Sequence, residues 1–159
     1  MSQDLEIVLT PGGRDKLEQR LDYLRNVSRR EVAERIRDSK QFGDIAENPE
    51  YEDAKTEQAL VESQILELRR VLQIAQVLDE AEIPPGHVGI GSIVKMTNPE
   101  NDDAWEFTLV NSVEADPDND LISNESPVGE ALMGKRVGET VNICVPNGVV
   151  QYRIDSIRK

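Results

Sequence analysis

This chain of 159 residues holds one cysteine and one histidine. A lone Cys144, set in the alternating stretch 141–145, rules out an intramolecular disulfide and a multi-cysteine metal site, and it agrees with a reducing compartment. His87 lies beside Pro84-Pro85-Gly86 with no second histidine or cysteine near it in sequence, so it reads as a surface residue rather than a metal ligand or proton shuttle. Positive charge is also scarce: 18 Lys and Arg face 31 Asp and Glu, for a net charge of −13. Phosphate contacts need a basic footprint, so this balance excludes sequence-independent binding to duplex nucleic acid, and any nucleic-acid role must be indirect. No apolar run approaches the roughly 18 residues of a membrane span. The start, Met1-Ser2-Gln3-Asp4, has neither the basic flank nor the apolar core of a signal peptide. The expectation is a cytoplasmic protein with no membrane partner. In such a protein the Asn-x-Ser matches at Asn26 and Asn124 carry no meaning as glycosylation sites.

What is present is charge and helical periodicity. An apolar share of 38% supports a core but is low for one compact globule, and a charged share of 31% points to an elongated, well-solvated helical part. Thr10-Pro11-Gly12-Gly13 reads as a helix start, with a hydroxyl to cap free N–H groups and a proline where no N–H is needed. Leu17, Leu21 and Leu24 follow at helical spacing, Val32 and Ile36 resume it after a polar interruption at Ser28, and the helix is predicted to reach Gln41 before Gly43 stops it. Asn48-Pro49 repeats the start signal. Val61, Ile65, Leu68, Leu72 and Ala75 then step by four and three, the a/d pattern of a coiled coil, in a helix predicted to reach Asp79. Two arms of about 30 residues, each roughly 45 Å long, joined by a short polar turn predict an antiparallel hairpin. Neither arm is stable alone in water.

Ile83-Pro84-Pro85-Gly86 ends the helical pattern. Segments 92–96, 105–110, 140–145 and 149–157 are short, β-branched and separated by turns such as Pro146-Asn147-Gly148, which predicts several antiparallel strands. Residues 127–133 read as one short helix capped by Ser126 and ended by Gly134. Asp116–Asp120 reads as a solvated acidic loop. Trp105 and Phe107 share one strand face and are expected, with Cys144, to pack in or near the core. The expected class is therefore α+β: residues 1–80 as a helical hairpin with an acidic tip at 43–51, and residues 81–159 as an antiparallel sheet domain with a short helix.

The tip carries the candidate chemistry. Asp44 and Glu47 stand three apart in a turn away from both seams. Two carboxylates so placed can share Mg²⁺, a hard ion that takes oxygen ligands, but they leave its shell incomplete, so another macromolecule must finish the site. They can equally serve as ordinary caps and solvating groups of an exposed turn. Arg25, Arg29, Arg30, Arg35, Arg37 and Lys40 concentrate positive charge on the first arm, and Lys55 adds to it across the tip. Such cations can guide a phosphate chain, or simply pair with Glu31, Glu34, Asp38 and Glu52 on a solvated helix.

The run Phe42-Gly43-Asp44-Ile45-Ala46-Glu47-Asn48-Pro49-Glu50-Tyr51, with Ala33 and Ile36 upstream, resembles the first signature of the GreA/GreB transcript elongation factors. Residues 123–135, Ser-Asn-Glu-Ser-Pro-Val-Gly-Glu-Ala-Leu-Met-Gly-Lys, resemble the second. Ser39, Ala46 and Pro49 depart from the pattern, and none of them touches the tip carboxylates. The matched helical arms predict an elongated two-domain monomer, and the resemblance implies a coiled coil that enters the secondary channel of a backtracked RNA polymerase and brings Asp44 and Glu47 to its catalytic metals. There they help to hold Mg²⁺ and the attacking water, so that the polymerase cleaves its own extruded RNA. Asn48 and Tyr51 would shape the tip, and Arg37, Lys40 and Lys55 would guide the nascent RNA 3′ end. The C-terminal domain would be FKBP-like and dock outside the channel through Ser123, Ser126 and Pro127, with no isomerase activity implied by its fold. On this basis the protein is an accessory factor and not itself an enzyme.

Two other readings use the same architecture. A related inhibitor would occupy the channel without stimulating cleavage, and the spacing of Asp44 and Glu47 argues against it. A coiled-coil adaptor or holdase would need an apolar tip, whereas Ile45 is the only aliphatic side chain larger than alanine there.

Overall fold

The computed structural model describes residues 7–42 and 48–159. The chain separates into two compact units, Arg14–Ile74 in one and the residues up to Gly13 together with Ala75–Lys159 in the other.

The helical unit starts where the sequence signals it. The Thr10 hydroxyl accepts from the Gly13 N–H at 3.0 Å, Pro11 takes the first helical position, and α1 runs Pro11–Tyr23. The helical path continues through a wider π-type turn, Leu24–Ser28, into α2 at Arg29–Ser39 and a final 3₁₀ turn, Lys40–Phe42. The π turn falls in the stretch that ends at the polar interruption of Ser28. Helix α3 spans Pro49–Ile74.

Leu21, Leu24 and Val32 from the first path pack with Val61 and Ile65 of α3, flanked by half-buried Ile36, Leu68 and Leu72. The ion pairs Arg29–Glu62 and Arg35–Glu57 show that α2 and α3 run in opposite senses, since the residue number falls on one as it rises on the other. Burying each such aliphatic side chain is worth roughly 1.5–3 kcal/mol. Solvent-exposed ion pairs contribute little, so the apolar seam holds these helices together.

The second helix is shorter than its periodicity predicts. It ends at Ile74, and Gln76–Val77 forms β2, which pairs in parallel with β1 at Val8–Leu9. The Gln76 N–H donates to the Ile7 carbonyl at 2.9 Å, and the Leu78 N–H donates to Leu9 at 2.7 Å. Ile7, Leu9 and Leu78 are buried by this arrangement, which stops the helix before Ala75 can join the seam.

The larger unit is built on a five-stranded sheet in the order β5-β4-β3-β7-β6. Its strands are β3 Ile93–Thr97, β4 Ala104–Val110, β5 Leu121–Ser123, β6 Thr140–Val145 and β7 Gly148–Arg158. Four of them match predicted segments. The three-residue β5 was not expected, and it pairs with β4 in parallel rather than antiparallel. The acidic 116–120 segment is not a plain solvated loop. It contains a 3₁₀ turn, Pro117–Asn119, and leads into β5 through Asp120, whose φ of 57° lies in the left-handed region and whose carbonyl accepts from the Thr108 N–H at 2.9 Å.

Phe107, Leu109, Met96, Ile143, Ile154 and Leu132 form the centre of the sheet core. Trp105 packs at its margin, its ring centroid 4.5 Å from that of Phe107. Cys144, expected near the core, is exposed: β6 turns Val141 and Ile143 inward, so the alternate residues Asn142 and Cys144 face out. His87 is exposed. Helix α4 occupies Pro127–Leu132, one residue shorter than predicted, with Ser126 as its cap. Among the described residues no helix is long and apolar enough to cross a membrane.

Candidate functional site

Asp44 and Glu47, the residues expected to carry the chemistry, lie outside the described residues. The two helix ends that flank them are described. On the α2 side Ser39 is buried, and its hydroxyl donates to the Ile36 carbonyl at 2.8 Å. On the α3 side Asn48 caps the helix: its Oδ1 accepts from the N–H groups of Glu50 at 3.1 Å and Tyr51 at 3.4 Å. The same side chain reaches across to α2, where its Nδ2 donates to the Ser39 carbonyl at 2.7 Å. Sequence reasoning identified the cap but not this second bond.

Of the seven cations, Arg29 and Arg35 are paired, whereas Arg25 and Arg30 are exposed and in no ion pair among the described residues. Arg29 makes two hydrogen bonds to Glu62, at 2.8 and 2.9 Å, and Arg35 pairs with Glu57. The Arg29 contact holds the Glu62 carboxyl below the ordinary carboxylate range and raises the guanidinium in turn. Arg37, Lys40 and Lys55 are exposed, and none forms an ion pair among the described residues. Lys55 donates to the Gln58 side chain at 3.2 Å. Ordinary pairing with Glu31, Glu34, Asp38 or Glu52 therefore does not account for these three cations within the described part of the molecule.

In the other unit, Ser123, Ser126 and Pro127 belong to one tight turn ahead of α4. The Ser126 hydroxyl donates to the Ser123 carbonyl at 2.6 Å and accepts from the Gly129 N–H at 3.1 Å, while the Ser123 hydroxyl accepts from the Glu125 N–H at 3.0 Å. Both hydroxyls are thus engaged in the turn itself. Pro127, Glu125 and Glu130 are the exposed groups. Gly129 lets α4 sit on this turn, because a Cβ there would lie 2.1 Å from the Ser123 carbonyl oxygen.

A second carboxylate role escaped the sequence altogether. Glu114 accepts from the Thr10 N–H at 3.1 Å and from the Thr10 hydroxyl, placing its negative charge at the start of α1. Gly13 leaves room for that carboxylate. The Gly12-Gly13 pair was the only local hint, and its partner stands about a hundred residues away. Among the described residues no cluster of three or more His, Cys, Asp or Glu could hold a metal ion.

Residues 83–159 match the family described as transcription elongation factor, GreA/GreB, C-terminal, and residues 7–77 match the transcription elongation factor N-terminal family. Transcription elongation factor GreA of Acetivibrio thermocellus is 50% identical over the whole of both chains. The protein of that name from Clostridium kluyveri is 48% identical over the whole of both chains, and one from Clostridium botulinum is 46% identical over all of this chain and 99% of its own. A solved structure, the GreA factor homolog 1 protein of Thermus thermophilus, is 29% identical, covers 97% of this chain and 99% of its own, and aligns with a TM-score of 0.45.

Proposed function

The chain belongs to the GreA/GreB family of transcription elongation factors, and we propose that it acts with RNA polymerase by stimulating the polymerase's own cleavage of backtracked RNA. It is an accessory factor, and the catalytic centre belongs to the polymerase. The antiparallel helix pair serves as a coiled-coil hairpin that enters the secondary channel as a monomer, and the sheet unit is an FKBP-like docking module. The observation that carries this reading is the match over both parts of the chain, in order, with Asp44 and Glu47 in the interval between α2 and α3.

Asp44 and Glu47 offer hard oxygen donors and leave positions for water and for ligands from a second macromolecule, a donor set that suits Mg²⁺. Held jointly with the polymerase, that ion would be one of the pair in a two-metal hydrolysis, in which one ion activates water and the other stabilises the leaving oxygen. The factor's own residues orient and retain. Arg37, Lys40 and Lys55, unpaired among the described residues, face the phosphates of the nascent RNA 3′ end. Ser123 and Ser126 shape the turn that presents Pro127 for docking.

The test adds the purified protein to a stalled, backtracked elongation complex. Shortened RNA that can be re-extended is expected. RNA that stays full length at saturating protein would overturn the proposal.

A further inference from the structure

The Asn48 side chain does two jobs with one amide. Its oxygen faces the Glu50 and Tyr51 N–H groups, and its nitrogen faces the Ser39 carbonyl. Reversing the amide would set its NH₂ against two N–H donors and its oxygen against a carbonyl, so only this orientation satisfies both helix ends. The Ser39 carbonyl lies where α2 passes into the 3₁₀ turn Lys40–Phe42, and the Glu50 and Tyr51 N–H groups belong to the first turn of α3, where backbone N–H groups lack helical partners. The bridge ties together residues nine apart in sequence at 2.7 Å. Buried Ser39 turns its own hydroxyl back to Ile36 and leaves its carbonyl to Asn48.

Capping alone does not require asparagine. Aspartate and serine cap about as well, because each offers an acceptor oxygen on a short stem. Aspartate has no donor for the Ser39 carbonyl, and the serine hydroxyl ends one bond earlier. What asparagine adds is the link between the helices.

We propose that Asn48 is a positioning residue for the acidic segment, its amide bridging the end of α2 to the first turn of α3 and fixing the two points between which Asp44 and Glu47 are carried. The inference rests on the assignment of cleavage chemistry to those two carboxylates. Its cost, if lost, appears in rate rather than in binding. A metal-assisting carboxylate displaced by about an ångström forfeits roughly ten- to a hundredfold in rate, while docking through the other unit is untouched.

The experiment measures cleavage in backtracked complexes against factor concentration, for full-length wild type, Asn48→Asp, Asn48→Ser and Asp44→Asn, with helix content followed by circular dichroism. Both Asn48 variants keep a cap. They should retain wild-type helix content and half-saturating concentration, while their maximal cleavage rates fall roughly ten- to a hundredfold. Wild-type rates in both, with Asp44→Asn impaired, overturn the bridge and leave the assignment of the carboxylates standing. Loss in Asn48→Asp alone makes the added charge the cause and also overturns it, as does a raised half-saturating concentration with an unchanged maximal rate. Full activity in Asp44→Asn removes the assignment beneath the proposal, and the bridge falls with it.

Discussion

Replacing Gly129 by alanine tests the link between the turn at 123–126 and the rest of the sheet unit. The added Cβ would lie 2.1 Å from the Ser123 carbonyl oxygen, 2.8 Å from the Asn124 Cα and 2.9 Å from the Ser123 carbonyl carbon. All three are backbone atoms, so no rotamer change relieves the clash. Either α4 lifts from the turn or the turn moves. The first costs the Ser126–Gly129 cap and disturbs fully buried Leu132, and the second breaks the Asn124 N–H bond to the Val110 carbonyl. Overpacking of this kind costs about 1–3 kcal/mol, and a backbone clash belongs at the upper end. At about 3 kcal/mol, and roughly 2–4 °C per kcal/mol for a chain of this length, the melting temperature should fall by roughly 6–12 °C. Thermal unfolding followed by circular dichroism gives the answer, with Gly12→Ala as a control because no atom lies within 4 Å of the Cβ it would add. A fall of less than about 2 °C would refute the packing argument. If this turn also presents the docking surface, Gly129→Ala at a temperature where it is folded should raise the half-saturating factor concentration in the cleavage assay.

Gly13→Ala sets a new Cβ against the Glu114 carboxylate, so it should destabilise the wild type yet be neutral, or stabilising by up to about 1 kcal/mol, in a Glu114→Ala background; additive effects in urea unfolding would contradict this. The Glu62 carboxyl is lowered by its hydrogen bonds to Arg29, so its stabilising contribution is present above the ordinary carboxylate range and is lost as pH falls through the lowered value. Glu62→Gln should therefore flatten the acid limb of stability measured at low salt, and identical limbs would refute the pairing. Combined alanine substitution of Arg37, Lys40 and Lys55 should lower stimulated cleavage and its dependence on salt without changing the melting temperature, whereas Arg35→Ala, which removes a partner of Glu57, should affect cleavage less.

Helix starts were legible because their determinants are local: Thr10-Pro11 and Asn48-Pro49 each combine a capping side chain with a proline at the first helical position. The seam at Val61, Ile65, Leu68 and Leu72 and strands β3, β4, β6 and β7 were legible through their periods. What escaped depends on distant partners. Helix α3 gives up residues 75–79 because Gln76–Val77 finds Val8–Leu9, and β5 is too short for alternation to register and forms only beside β4. Cys144 was placed near the core by its apolar neighbours, although the pleat that turns Val141 and Ile143 inward turns it out. At the candidate site, the sequence offered both fates for the cations, and the acids that pair with Arg29 and Arg35, Glu62 and Glu57, sit across the seam rather than along the same helix. The second Asn48 bond was hidden for the same reason, since its acceptor is a main-chain carbonyl that no residue type announces.

The central claim is that Asp44 and Glu47 assist the polymerase's metal chemistry, and a Mg²⁺ titration of cleavage in backtracked complexes tests it most directly. Asp44→Asn and Glu47→Gln keep the shape of each side chain and remove an anionic donor. Measured at saturating factor, with binding followed by competition against wild type, each variant should bind normally and cleave poorly at low Mg²⁺, and excess Mg²⁺ should restore part of the rate. Full cleavage by both variants at low Mg²⁺ would contradict the account.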